Sequence, residues 1–359
     1  MHKVERVMLD AGLSRDHYLL KPGRYPKWKE MLHRGLGRKI LDWQIQNPRI
    51  NQVEIQLVSW CNRVCSFCPS GTYPVPKVMM ERDVVERIVS QLEQIRFSGT
   101  IGLHLMSEPL LHTRFSEIVG QFRKRLPQVY LRAESNGDVL DKNMNRISTY
   151  FESGLNELLI NCYDSVEQRE DRNAALLEAV QNDSSLWYWN DRQRLPLMSR
   201  HKWRVIRLRD FFREDYSSLR NWAGHVDFQS DVSEQLDFPL PISCRRPFER
   251  CHVNYLGQLL LCNNDWKYEH VIGDLMEQDL HEVWNAPLLT EHYRPRLLAC
   301  NRDMGLCRTC DSGVPAGHKQ PQLSPATPRI LTWRDRLARW VNGETALQAG
   351  EAEAGSGNV

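Results

Sequence analysis

The sequence predicts an α/β protein built on a parallel sheet, and three observations carry that reading. From residue 51 onward, strand-like and helix-like runs alternate, with apolar strands read at residues 53–58, 101–106, 129–133, 157–161 and 203–208. The runs between them have helical spacing: within residues 81–95, Val84, Val85, Ile88, Val89 and Leu92 share one face, and stretches 115–126 and 144–153 read the same way. Repeated β-α units of this length join parallel strands, as an open sheet or as a barrel. In either form, functional groups collect at the C-terminal ends of the strands.

The rest of the chain frames that core. Its 47 Lys and Arg against 45 Asp and Glu leave a formal charge of +2, so no electrostatic case exists for non-specific nucleic-acid binding. No apolar run approaches a membrane span, and the opening MHKVERVMLD lacks the apolar centre of a signal peptide. The expectation is a cytoplasmic protein with neither nucleic-acid nor membrane partners. Residues 1–50 read as a basic helical extension with a solvated face. A boundary is expected near residue 235, ahead of Pro239 and Pro241, dividing a core at 51–235 from a smaller domain at 236–315. In the second domain, residues 252–256 and 258–261 read as a hairpin turning at Gly257, with a helix over 280–285. Residues 316–359 read as linker, a short amphipathic helix over 328–341 and a disordered tail.

Ten cysteines in a reducing compartment point to metal rather than to disulfides. Cys61, Cys65 and Cys68 follow the first strand with x3 and x2 spacing. A tetrahedral thiolate site takes four ligands, so three leave one position open. With Phe67 before the last cysteine, this stretch resembles the cluster-binding motif of the radical S-adenosylmethionine (SAM) enzymes. Soft thiolates suit iron–sulfur clusters. The resemblance implies a 4Fe–4S cluster on these three cysteines, with SAM chelating the fourth iron and being cleaved to a 5′-deoxyadenosyl radical.

Two further segments resemble the same family. Ser107-Glu108-Pro109, continuing to Leu110-Leu111-His112, is similar to the family's Gly-Glu-Pro motif, which implies Glu108 as ligand of the SAM ammonium with Ser107 in place of a glycine. Glu134-Ser135-Asn136-Gly137 is similar to the Thr-Asn-Gly segment, implying Ser135 and Asn136 as further SAM contacts. The implied fold is a partial (β/α)6 TIM-like radical SAM barrel followed by a small α+β twitch/SPASM-like cluster domain.

The late cysteines carry the second part of that implication. Cys244, then Gly257 and Cys262, then Cys307-x2-Cys310, resemble the twitch domain, a shortened relative of the SPASM domain; residues 272–275 and 280–285 match its passage from hairpin to helix. Four thiolates there imply one auxiliary 4Fe–4S cluster with no open position. Cys251 competes with Cys244 for the first place, and four thiolates ending in a C-x2-C pair also suit structural zinc. Cys300 alone does not supply another cluster. Residues 217–224 are similar to an Asn-Arg-Ala-Gly segment that precedes such domains, with Trp222 in place of arginine.

The function implied is hydrogen abstraction from a polar substrate (a sugar, aminocyclitol or similar intermediate). Net dehydrogenation follows with the auxiliary cluster as electron acceptor, and a flavodoxin or ferredoxin serves as reductant. Alternatives are a redox-neutral epimerase with Cys162 or Cys251 as hydrogen-atom donor, a maturase acting on a ribosomal peptide, and a non-catalytic iron–sulfur electron-transfer module. The last has no use for Glu108 and the Asn-Gly segment. Cys162 reads otherwise as a small buried hydrophobe, His104 as a core histidine, and Trp187-Tyr188-Trp189 as packing or substrate wall.

Overall fold

The computed structural model describes residues 48–73, 75–182, 185–190, 204–210, 221–226, 236 and 239–312. The expected N-terminal extension before residue 48, the start of the 203–208 strand, residues 217–220 and everything beyond residue 312 lie outside the described residues.

Among the described residues nine strands form one sheet: β1 (Gln52–Ile55), β2 (Thr100–Gly102), β3 (Tyr130–Ser135), β4 (Glu157–Cys162), β5 (Trp187–Asn190), β6 (Val205–Asp210), β7 (Arg250–Val253), β8 (Gln258–Leu260) and β9 (Val271–Asp274). Their order is β5-β6-β4-β3-β2-β1-β7-β8-β9. Every pairing from β5 through to β7 is parallel, whereas β7–β8 and β8–β9 are antiparallel. The helices are α1 (Arg82–Gln94), α2 (Phe115–Arg125), α3 (Asp138–Asp141), α4 (Arg146–Glu152), α5 (Val166–Asn182), α6 (Arg246–Glu249), α7 (Leu280–Trp284) and α8 (Arg294–Leu298). This is a mixed α/β fold with an open parallel sheet, consistent with a partial TIM-like barrel.

Three features differ from a simple reading of the pattern. Trp187–Asn190 is a strand, as its aromatic composition favours, and it pairs with β6 rather than β4, so β6 is inserted between its predecessors. The ladder of β2 ends at Gly102, well short of residue 106. Beyond it the chain bends at Leu103 and turns at Leu105 and Met106, with Leu105 N donating to Ile55 O at 3.2 Å and Met106 at a left-handed φ of 51°. Finally, β7 pairs with β1 in parallel register, Gln52 opposite Arg250 and Ile55 opposite Val253, so the C-terminal hairpin continues the barrel sheet. The hairpin turns at Gly257, whose φ of +88° no β-branched residue would accept without strain.

Alternation along the strands separates two chemistries. Val53 and Ile55, Ile101, Leu131 and Ala133, Leu158 and Ile160, and Ile206 and Leu208 lie in the main apolar core under the helices. Helix α1 buries Val84, Val85, Ile88, Val89 and Leu92 there, as its spacing predicts. The opposite face, the lumen, carries Glu54, Arg132, Glu134, Glu157, Asn161 and Arg207.

Helix α1 also fastens the C-terminal part. Gln91, 1% exposed, donates to Leu275 O at 3.0 Å and Gln278 O at 2.8 Å, and accepts from Leu280 N at the start of α7. Arg87 Nε adds a bond to Leu275 O at 2.8 Å. Gln91→Leu strands these buried groups, so it should cost about 1–3 kcal/mol, read as a lower denaturant midpoint at unchanged m-value.

Candidate active site

The first cysteine set occupies the loop after β1. Cys68 N donates to Cys65 O at 3.1 Å, closing a turn that continues into the 3-10 turn Pro69–Gly71. The three thiols lie close enough for Cys65 and Cys61 to raise the pKa of Cys68, which burial, the larger cause, carries up to about 11. Burial also raises Cys61, against a hydrogen bond from Arg63 N at 3.5 Å. Burial thus favours neutral thiols, and a bound metal would reverse that preference.

Glu108 stands beside this loop, 2% exposed. Its carboxylate accepts from Leu110 N at 3.1 Å, from the Ser135 hydroxyl at 2.8 Å and from Asn136 N at 2.8 Å. Burial outweighs these donors and pushes its pKa up to about 7. Asn136 Nδ2 donates to Asn62 Oδ1 at 2.8 Å and lies 3.6 Å from Cys61 Sγ. Glu108, Ser135, Asn136 and Cys61 therefore form one network across three strand ends. Ser107 sits at its margin, its hydroxyl donating back to Leu105 O at 3.1 Å.

An arginine brace that motif reading does not find locks this arrangement. Arg63, between the first two cysteines, bonds Asp138 at 2.6 and 2.5 Å and Asp164 at 2.6 and 2.8 Å. Arg172 on α5 reaches Asp138 at 2.9 Å, Asp141 at 2.8 and 2.6 Å, and Asn136 O at 2.8 Å. The available signal was an arginine inside the cysteine spacing and an aspartate directly after Asn136-Gly137.

The second set gathers Cys244, Cys262, Cys307 and Cys310. Cys307 is raised by burial and then by the charges of Cys262, Cys244 and Cys310. Arg246 Nη1 lies 3.3 Å from Cys262 Sγ, and its guanidinium also faces Cys244 and Cys310, where it offsets thiolate charge. Buried Arg302 bonds Ile242 O at 3.0 Å and Ser243 O at 3.0 Å on one side, and Ser312 O at 2.8 Å on the other. It thereby draws the two ends of the cysteine set together. Cys251 lies in the β7 core, its thiol raised by burial with no neighbouring thiol among the causes. Among the described residues, no three His, Cys, Asp or Glu groups are gathered tightly enough for a single metal ion. A 4Fe–4S cluster, held by thiolates at its outer corners, asks for wider spacing.

The lumen behind these sites is polar. Glu157 accepts from Tyr130 OH at 2.7 Å and Arg207 Nη1 at 2.8 Å. Glu134 pairs with Arg132 and lies 3.6 Å from His104 Nε2, and Glu54 lies 3.6 Å from His252 Nε2. His104 is therefore a lumen residue, folded over Gly102, where a Cβ would come 2.5 Å from its ring. Asn161 Oδ1 and His104 Nδ1 are buried with no hydrogen-bond partner among the described residues.

Neither proposed hydrogen-atom donor reaches this lumen. Cys162 shares the parity of Leu158 and Ile160 and packs in the helix-facing core, 3.9 Å from Arg172 Nη1. Cys251, opposite Val53 in the ladder, faces the same way. Strand alternation turns both from the face that holds the charged groups.

The fold and the two cysteine sets resemble those of radical SAM enzymes with an auxiliary iron–sulfur domain, and comparisons with known proteins support that class with SAM, a SAM-binding 4Fe–4S cluster and an auxiliary cluster. Residues 244–311 match the SPASM family, an iron–sulfur cluster-binding domain. The chain is similar to the S-adenosyl-L-methionine-dependent 2-deoxy-scyllo-inosamine dehydrogenase of Niallia circulans, with 24% identity over 266 residues, 73% of this chain and 93% of that protein. Its fold is similar to that of BtrN in complex with AdoMet and 2-DOIA, with a TM-score of 0.57 and 22% identity over 74% of this chain and 95% of that one. Selenomethionine BtrN in an open conformation gives a TM-score of 0.50 at 20% identity, over 73% and 92% of the two chains.

The brace has a pH signature. Burial raises the Asp138 carboxyl, but Arg63 and then Arg172 outweigh it and hold the group below its ordinary 3.8. A depressed carboxyl stabilises the fold at higher pH and loses that contribution as pH falls through its folded pKa. The stability gap between the native protein and Asp138→Asn should therefore be full near neutrality and close on acidification. Urea unfolding from about pH 7 to about pH 3 checks it.

Proposed function

We propose that this protein dehydrogenates a hydroxyl-bearing carbon of an aminocyclitol or closely similar polar ring. The observation that carries the reading is the pairing of a three-thiol loop with a four-thiol set. Cys68 of the first packs against a small apolar cluster of Leu105, Met106, Leu260 and Trp266, the last two from the segments on either side of Cys262. Cys61, Cys65 and Cys68 hold the first cluster; Cys244, Cys262, Cys307 and Cys310 hold the second. When bound, the first cluster would cleave SAM to a 5′-deoxyadenosyl radical, and the second would accept the electron left on the substrate carbon. Glu108, fixed by Ser135 and Asn136, takes the SAM ammonium, with Ser107 at the edge of that pocket. The lumen, with carboxylates and guanidinium groups on one face, suits a ring bearing hydroxyls and an amine. The similarity to a 2-deoxy-scyllo-inosamine dehydrogenase supports the same substrate class. Dehydrogenation is favoured over epimerisation because Cys162 and Cys251 both face the helical core. Among the described residues no helix is long and apolar enough to cross a membrane. We place the enzyme in the cytoplasm with a flavodoxin or ferredoxin as electron source.

Anaerobic reconstitution should load about eight irons. Incubation with dithionite, SAM and 2-deoxy-scyllo-inosamine or a related aminocyclitol should then yield 5′-deoxyadenosine and a ketone. Absence of SAM cleavage across such substrates, or solvent deuterium at the reacting carbon, would overturn the reading. Cys244→Ala should lose about four irons while Cys251→Ala keeps them, and the reverse would exchange the two assignments.

The raised pKa of Glu108, about 7, sets a further expectation. Below that pH the free carboxyl is protonated, and binding an ammonium requires the carboxylate, so SAM affinity should rise with pH through about 7. Glu108→Gln should bind SAM more weakly and without that dependence, measured by calorimetry on the reconstituted protein.

A further inference from the structure

Residues 221–226 form a strap between the two cysteine loops. At one end, Asn221 N donates to Asp311 Oδ2 at 2.8 Å and Asn221 Nδ2 to Thr309 O at 2.7 Å. Thr309, between Cys307 and Cys310, returns a bond from its hydroxyl to Ala223 O at 2.6 Å. At the other end, Trp222 Nε1 donates to Phe67 O at 2.8 Å, and His225 Nδ1 lies 2.9 Å from the Tyr73 hydroxyl. Phe67 and Tyr73 flank Cys68 on either side. The Trp222 ring meets Trp266 edge-on, with centroids 6.0 Å apart at 85°.

The backbone of the strap is strained. Trp222, Ala223 and Gly224 have φ values of 49°, 61° and 84°, three left-handed residues in a row, of which only the glycine is at ease there. Such conformations persist only where surrounding contacts over-determine them, and here those contacts are the two cysteine loops.

The bond to Phe67 acts on a rigid unit. Phe67 C=O and Cys68 N–H are the two ends of one planar peptide. Holding the oxygen on the Trp222 indole fixes the direction of the N–H, which points at Cys65 O and closes the turn at 3.1 Å. The relative placement of Cys65 and Cys68 is thus set from outside their own loop.

We infer that Trp222 is a positioning residue for the SAM-cluster loop, and that the strap makes the order of the Cys65–Cys68 turn depend on its anchorage to the Cys307–Cys310 loop. This rests on the assignment of those cysteines as cluster ligands, but its first test needs no cluster. In the metal-free full-length chain, hydrogen–deuterium exchange is followed on peptides covering residues 61–73. Trp222→Phe keeps an aromatic ring and removes the N–H; Asn221→Ala keeps the backbone bond to Asp311 but removes the side-chain bonds to Thr309 O, Asp311 N and Ala223 N, none of which involves residues 61–73. Both should speed exchange at 61–73 by roughly three- to ten-fold, the equivalent of one lost hydrogen bond. Trp222→Phe should do so without changing residues 300–312.

In the reconstituted protein, Trp222→Phe should keep its auxiliary iron while shifting the electron paramagnetic resonance signal and midpoint potential of the SAM cluster. A role in packing alone would not move either. Unchanged exchange at 61–73 in either folded variant, or an unshifted SAM-cluster potential, overturns the inference. If either variant exchanges faster everywhere, Thr309→Val decides, since it removes only the bond to Ala223 O at nearly constant volume; faster exchange confined to residues 61–73 supports the strap, and no change there overturns it. If the wild type cleaves no SAM while the exchange result holds, the proposed function falls and the strap stands.

Discussion

Successive side chains of a strand leave on opposite faces, and in this sheet the two faces have opposite chemistry. One face presents Val53, Ile55, Leu131, Leu158, Ile160 and Ile206 to the helices, as a dry core. The other presents Glu54, Arg132, Glu134, Glu157 and Arg207 to the lumen, where each buried charge has to find a partner. A lumen filled with hydrocarbon would be at least as stable, because desolvating charges offsets most of what their pairing returns. Folding alone therefore does not call for a polar lumen, which suits the polar substrate proposed above. A one-residue slip of β4 would bring Cys162 into that space and push Asn161 under the helices.

The cysteine loops at the strand ends share a device. Each is held by arginines that make several directed bonds at once: Arg63 to two aspartates, Arg302 to carbonyls of both chain ends, and Arg246 against the thiols. A planar guanidinium with fixed donors suits this work better than a lysine, whose single ammonium on a flexible stem leaves the loop free to pivot. Apolar packing seats Cys262 and Cys310 in the core and Cys68 beside Trp266, but such packing is not directional and does not orient the thiols. Directional bonds from buried cations supply the order instead.

Much of this was legible in the sequence where the signal is local. Helix α1 followed from the spacing of Val84, Val85, Ile88, Val89 and Leu92, the hairpin from Gly257, and the gathering of Glu108, Ser135 and Asn136 from two short segments at strand ends. What escaped was non-local. Trp187–Asn190 carries no mark that it will pair beyond β6 rather than beside β4, because that choice depends on a strand not yet reached in the sequence. Arg63, Arg172, Arg246 and Arg302 look like ordinary surface cations until the chain brings acids, thiols or carbonyls to them. Trp222 was legible as a departure from a motif but not as a tether, since its partner Phe67 is remote in sequence. The side taken by Cys162 was within reach: Leu158, Ile160 and Cys162 alternate with Asn161, and that period alone assigns the thiol to the apolar face.

The parallel pairing of β7 with β1 has a consequence for how the chain is made. Strand β1 leaves the ribosome early, finds β2 on one side, and must wait for the entire barrel before β7 arrives to cover the other. During that interval it presents an edge of unpaired backbone N–H and C=O groups, the feature by which nascent sheets recruit one another. Termination or cleavage before residue 250 would make the exposure permanent. Such fragments should be aggregation-prone rather than independently soluble barrels, so the auxiliary domain also covers the β1 edge of the domain it serves.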